Sequence, residues 1–104
     1  MFPLRYAALV LATLPLLPEP ARASAELAQA RNCVACHHVE RRMIGPPYRA
    51  IAERYAQDST APATLAARIV AGAGGVWGRM PMPAQPQVSP AEAQALAEWI
   101  LAQR

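Results

Sequence analysis

The residues of this chain whose types and spacing point most firmly to chemistry are Cys33-Val34-Ala35-Cys36-His37. Two cysteines three positions apart, with a histidine directly after the second, form the pattern of covalent c-type haem attachment. The spacing has a physical reason. Two thiols must reach two vinyl groups on one edge of a porphyrin while the adjoining imidazole reaches the iron at its centre. Carried on one helical turn, the three side chains let a single rigid segment fix the ring's position, its tilt and one axial ligand. Other uses of the pair fit less well. A disulfide is chemically possible outside the cytoplasm. A thioredoxin-like redox pair belongs beside a strand–helix–strand pattern that is missing here. Zinc needs four well-placed ligands, and Cys33, Cys36, His37 and His38 are too crowded to make one tetrahedron.

An iron that only shuttles electrons takes its sixth ligand from the protein as well. Met80-Pro81-Met82-Pro83 offers two thioethers, soft neutral donors that favour ferrous iron and raise a reduction potential. Methionine in isolation is more often core filler, but these two sit among prolines in a region with no core stripe. Met43 lies only six residues after His37, too near to cross to the opposite face of a porphyrin.

These side chains must be positioned by short helices, because the pattern offers four helical stretches and no convincing strand. Glu26 to Asn32 is an alanine-rich helix running into the cysteines. Pro47 to Ala56 follows Gly45-Pro46, with Tyr48, Ile51, Ala52 and Tyr55 spaced three and four apart on one face. Pro62 to Ala71 turns Leu65, Ala66 and Ile69 inward and stops before Gly72. The last helix carries the clearest signals: Ser89 as N-cap, Pro90 in the first turn and Glu92 to complete a capping box. Its buried stripe is Ala93, Leu96, Ala97, Trp99 and Ile100, and Arg104 complements its C-terminal dipole. Gly72 to Val88 is too long to remain structureless in a small domain without a function that holds it in place.

Upstream of all this, residues 1–25 read as a secretory signal peptide: Arg5, an apolar stretch from Tyr6 to Leu17, then small residues. Cleavage after Ala23 or after Ala25 fits equally. Pro15, Pro18 and Pro20 and the shortness of the stretch argue against an uncleaved anchor, which needs about 20 apolar residues. Residues 26–104 then form one domain in an oxidising compartment, the periplasm. So short a chain buries too little surface to be comfortable alone and calls for a staple, a metal or a cofactor. Its 104-residue precursor carries ten basic and seven acidic side chains, a formal charge of +3. All the basic residues are arginine, and only Arg41-Arg42 are adjacent, so no nucleic-acid surface is implied. Two cysteines cannot staple a disulfide-rich scaffold.

At this point the chain resembles the class I cytochromes c, in particular the short bacterial monohaem type that donates electrons to nitrite reductases and terminal oxidases. The resemblance runs over nearly all of residues 26–104. It rests on Cys33-Val34-Ala35-Cys36-His37, Gly45-Pro46-Pro47-Tyr48, Arg68-Ile69, and Gly75-Val76-Trp77-Gly78 followed by Pro81-Met82-Pro83, in that order and at that spacing. It implies an all-α fold of four or so short helices around one covalently bound haem. It implies His37 as proximal ligand and Met82, rather than Met80, as distal ligand. Pro46 offers its carbonyl to the His37 ring, a contact that fixes an imidazole's tautomer. Arg68 and Trp77 match positions that contact a haem propionate. Three departures stand out. Ala28 replaces a larger apolar residue, Asn32 stands where glycine is common, and Ala84-Gln85 replaces a polar residue that can bond the methionine sulfur.

The expectation is therefore a monomeric, soluble periplasmic one-electron carrier and not an enzyme. Its donor would be a membrane quinol-oxidising complex and its acceptor a nitrite reductase or terminal oxidase, with no membrane insertion after cleavage. Partner encounters should be brief and made at the haem edge, where arginines steer an acidic partner. Two rivals share the same residues: a haem subunit of a larger oxidoreductase complex, and a peroxidase or sensor in which Met82 is labile. His38 should point away from the porphyrin, and Trp99 should pack against the first helix.

Overall fold

The structure, a computed structural model, describes residues 2–5, 7–15 and 25–104. Residues 2–5 and 7–15 carry no helix or strand. The rest of the expected leader, with a cut after Ala23, lies outside the described residues. No helix among the described residues is long and apolar enough to cross a membrane.

Helix α1 spans Ala25–Ala30, α2 Tyr48–Arg54, α3 Ala61–Ala71 and α4 Pro90–Leu101, with a 3-10 turn at Cys33–Ala35. The architecture is all-α as expected. Among the described residues the one pairing of extended backbone is an isolated antiparallel bridge between Ala73 and Met82. Several helix ends differ from the sequence expectation, each for a local reason. The first helix stops at Ala30 because Asn32 adopts φ 66°, in the left-handed region that breaks an α-helix. Asparagine tolerates that region better than other residues bearing a Cβ, which accounts for its standing where glycine is common. The cysteines consequently ride on a 3-10 turn instead of a continued α-helix. Pro47 is the extended N-cap of α2, at φ −65° and ψ 147°, so that helix begins at Tyr48. It ends at Arg54, two residues earlier than the pattern implied. Helix α3 begins one residue early at Ala61, and Asp58 closes the turn into it by accepting from the Thr60 amide and hydroxyl at 2.9 and 2.7 Å.

Helix α4 has the N-terminus its sequence promised. Ser89 Oγ accepts from the Glu92 amide at 3.1 Å, and the Glu92 carboxylate accepts from the Ser89 amide at 3.1 Å. Arg104 lies beyond Leu101, and the helix has no basic residue in its last turn, so the expected dipole partner is missing. The Glu92 carboxylate also takes two bonds from Arg31, at 3.0 and 2.6 Å, tying the end of α1 to the start of α4.

Helices α3 and α4 pack along each other, and α4 also meets α2. One apolar cluster gathers Ala28, Ile69, Val88, Ala93 and Leu96; the other gathers Tyr48, Ile51, Leu65 and Ala97. Ala28 is 1% exposed, so the small residue there permits close approach of α1 to the core. Five of the buried apolar residues are alanines, and Leu96 is the largest side chain buried completely. Trp99 packs against the cluster that includes Ala28 of α1, as expected, and also against the second cluster, where its ring meets Tyr48 of α2 edge-on at 5.1 Å.

Candidate haem site

The attachment pattern acts as a unit because its backbone closes on itself. The amides of Cys36 and His37 both donate to the Cys33 carbonyl, at 3.2 and 3.0 Å. Both thiols are half-buried and are not joined to each other. Burial pushes the Cys33 thiol above its ordinary range, since an apolar wall disfavours the thiolate.

All three residues line one cavity of about 500 Å³, within the range of cofactor pockets. The His37 ring is fixed from three sides. Its Nδ1 lies 2.8 Å from the carbonyl oxygen of buried Pro46, which makes Nδ1–H the donor and leaves Nε2 free to coordinate. Tyr48 stacks on it at 5.5 Å with the planes 22° apart. Gly45 backs it so closely that any Cβ there would collide with the imidazole. The Gly45 amide in turn donates to the Cys36 carbonyl at 2.9 Å. The Gly45-Pro46-Pro47-Tyr48 string thus forms the seat of the histidine.

The segment from Gly72 to Val88 lines the same cavity through residues 73–83 and Gln85. Ala73 and Met82 exchange both amide–carbonyl bonds, at 3.0 and 2.7 Å, and the Gln85 amide donates to the Ile69 carbonyl at 3.2 Å. Met82 is half-buried and packs against the cluster around Leu96, whereas Met80 is 70% exposed. Both line the cavity, and Met43 lies outside its lining. Gly72, at φ 83°, is pressed between the backbones of Met82 and Ala84, so no side chain fits where the helix hands over to the bridge. Gln85 turns its amide to the Pro83 carbonyl at 2.9 Å.

Arg68 and Trp77 line the same cavity. Arg68 also donates to the Tyr55 hydroxyl at 2.7 Å, an interaction between helices that no spacing rule announces. The Arg54 guanidinium lies over the Trp77 indole at 4.8 Å. His38 is exposed, as expected, but it is not idle: its Nδ1 accepts from the Glu40 and Arg41 amides at 3.1 and 3.2 Å. Sequence reasoning missed the Arg68–Tyr55 and Arg54–Trp77 contacts because each depends on how separate segments meet, and missed the local His38 turn because residue type alone does not set its backbone. It also missed the Tyr48 hydroxyl, which is buried without a hydrogen-bond partner. Burial holds that phenol far above its ordinary range.

These observations fit a haem. One apolar cavity is lined by two thiols, an oriented imidazole and the methionine Met82, whose backbone is bridged to Ala73, beside a buried hydroxyl left unsatisfied. Among the described residues no group of three or more His, Cys, Asp or Glu could hold a metal ion. The fold and site define a small, helical, single-haem protein of the c type. Comparison with known proteins agrees: the family model for cytochrome c matches residues 21–104, and the chain belongs to the cytochrome c family. It is 49% identical to cytochrome c-552 of Nitrosomonas europaea over 81 residues, 78% of this chain and 79% of that protein. It is 47% identical to cytochrome c-551 of Pseudomonas aeruginosa over 74 residues, 71% of this chain and 70% of that one. The crystal structure of Nitrosomonas europaea cytochrome c552 superposes with a TM-score of 0.77 at 47% identity, covering 78% of this chain and all of that one. The protein is thus a class I monohaem cytochrome c, a small electron carrier with one covalently bound haem c.

Proposed function

We propose that this chain is a soluble periplasmic one-electron carrier whose haem is tethered by Cys33 and Cys36 and ligated by His37 and Met82. The observation that carries the reading is that one cavity is lined both by an imidazole oriented by Pro46 and by Met82, whose backbone is fixed by the bridge to Ala73. When bound, the haem supplies reversible exchange of one electron between ferric and ferrous iron. The chain's own contribution is rigidity. His37 is seated between Gly45 and Tyr48, and the thioether is held at the neck of its loop, so both donors are in place before and after transfer. With both axial positions taken by protein there is no place for a substrate, and the protein is a carrier and not an enzyme.

The leader from residue 1 to 25 supports export, with cleavage after Ala23 or Ala25. Arg68 and Trp77 are assigned to a haem propionate; Arg68 has donors to spare after its bond to Tyr55. Exposed Ile44 and Met80, with Arg42 and Arg79, border the cavity. An apolar patch beside exposed guanidinium groups suits brief contact with an acidic redox partner. Candidate acceptors are a nitrite reductase or terminal oxidase, and the candidate donor is a membrane quinol-oxidising complex.

The ligand set is tested by the far-red absorption band of the ferric protein, which reports sulfur on iron. Met82→Ala is expected to abolish it and Met80→Ala to leave it. Loss of the band in Met80→Ala alone would overturn the assignment.

A further inference from the structure

Residues 74–81 form the tip of the segment that carries Met82. Among the described residues, that tip makes no backbone hydrogen bond to any other backbone group: the ladder stops at the Ala73–Met82 bridge. Trp77 packs against the cluster around Tyr48 and Leu65, and the tip's hydrogen bonds to the rest of the protein come from two arginine side chains. Arg54, the last residue of α2, donates from Nη1 to the Val76 carbonyl at 3.0 Å and lays its guanidinium over the Trp77 ring at 4.8 Å. Arg42, in the connection after the attachment turn, donates from Nη2 to the next carbonyl, that of Trp77, at 3.2 Å. Gly78, at φ 129°, lets the chain turn directly beneath the Arg42 guanidinium.

We infer that Arg42 and Arg54 form a clamp that sets how tightly the loop holds its methionine on the iron. This inference rests on the ligand reading proposed above. Two adjacent carbonyls, gripped from two different elements, fix both the height and the tilt of the tip. The planar fork of arginine suits that task, because it bonds a carbonyl through one nitrogen while its face lies on an indole. Neither residue touches the thioether; both are positioning residues. Once released, the tip hinges at the bridge and the sulfur leaves the iron more readily. The same release frees the exposed Arg79–Met80 peptide bond to take the extended shape a protease cleaves.

The test uses the ferric holoprotein with imidazole as a competing ligand and trypsin as an independent probe of the tip. Arg54→Met is expected to raise the affinity for imidazole about fivefold, the scale of a lost exposed cation–π contact. Arg42→Met should raise it about threefold, the scale of one lost hydrogen bond. Arg54→Lys, which keeps a cation over Trp77, should recover part of the loss. Cleavage after Arg79 should quicken in the same order. Wild-type imidazole binding and wild-type cleavage in both methionine variants would overturn the clamp, even if their melting temperatures fall. If the wild-type protein lacks the far-red band, the methionine ligation fails and the clamp fails with it. A present band with unmoved imidazole affinity defeats the clamp alone.

Discussion

A Cβ placed on Gly45 would meet the His37 ring at three atoms, lying 2.8 Å from Nδ1 and 3.0 Å from Nε2. Ordinary contact would need the ring to move, and the ring is already held by Pro46 on one side and Tyr48 on another. Gly45→Ala should therefore displace the imidazole and weaken its bond to the Pro46 carbonyl. The expected cost is about 1–3 kcal/mol, the usual penalty for overpacking. Guanidinium unfolding of the holoprotein measures it, and the Nδ1 proton resonance should shift because its bond lengthens. An unmoved midpoint and resonance would show that the seat is looser than its geometry. Much of the residue-scale picture was legible beforehand. Cys33, Cys36 and His37 form one local string whose spacing suits a porphyrin, whereas Pro46 and Met82 were singled out by family resemblance; Pro46 does lie at His37 Nδ1, and Met82 lines the same cavity. Tyr48's orphan hydroxyl and Arg54's place on Trp77 were not legible, since they depend on how distant segments meet.

Helix α4 begins with the most complete set of local signals in the chain, and the structure adds a long-range partner to them. Glu92 closes the capping box with Ser89 and accepts two bonds from Arg31 at the end of α1. Chiefly through Arg31, and then through the Ser89 amide, its carboxyl is lowered from 4.5 to about 2. A carboxylate whose pKa is depressed by folding stabilises the native state above its unfolded value and loses that effect as pH falls to its folded value. The contribution of Glu92 is thus full above pH 4.5, declines as acid is added and is gone near pH 2. Glu92→Gln should lower the melting temperature at neutral pH and flatten its decline across that window. Thermal melts of both proteins at several pH values check this; parallel curves would contradict it. Salt should shrink the difference, because the Arg31 side chain keeps 36% of its exposure. Ser89, Pro90 and Glu92 announce this helix because capping is local chemistry. The other helix ends escaped notice because left-handed Asn32 and extended Pro47 act through backbone geometry that residue type only hints at.

At the scale of the whole molecule, the interior is a shell of small side chains around an opening. Among the described residues five alanines account for nearly half of the eleven buried apolar residues, and a cavity of about 500 Å³ is lined by both the attachment turn and the methionine loop. Such a shell cannot close by sliding inward. Pro46, Pro81 and Pro83 stiffen its lining, and α3 and α4 are already packed against each other. Without a haem, Ile51, Leu65, Ile69 and Leu96 all face the opening and lose the apolar surface that would keep water from them. A chain of this length has little surplus burial to offset the conformational entropy of ordering its loops. Haem attachment should therefore be inseparable from folding. Cys33→Ala combined with Cys36→Ala, expressed where maturation is competent but covalent tethering impossible, is expected to yield a protein with no cooperative thermal transition once free haem is removed. Its radius of gyration should approach the unfolded value of about 28 Å for residues 25–104, against about 12 Å for a folded chain of that size. Small-angle scattering and far-ultraviolet circular dichroism read the two quantities directly. A compact, helical apoprotein that melts cooperatively would mean that the alanine-lined shell is stable by itself, and that the haem is a passenger in the fold and not its core.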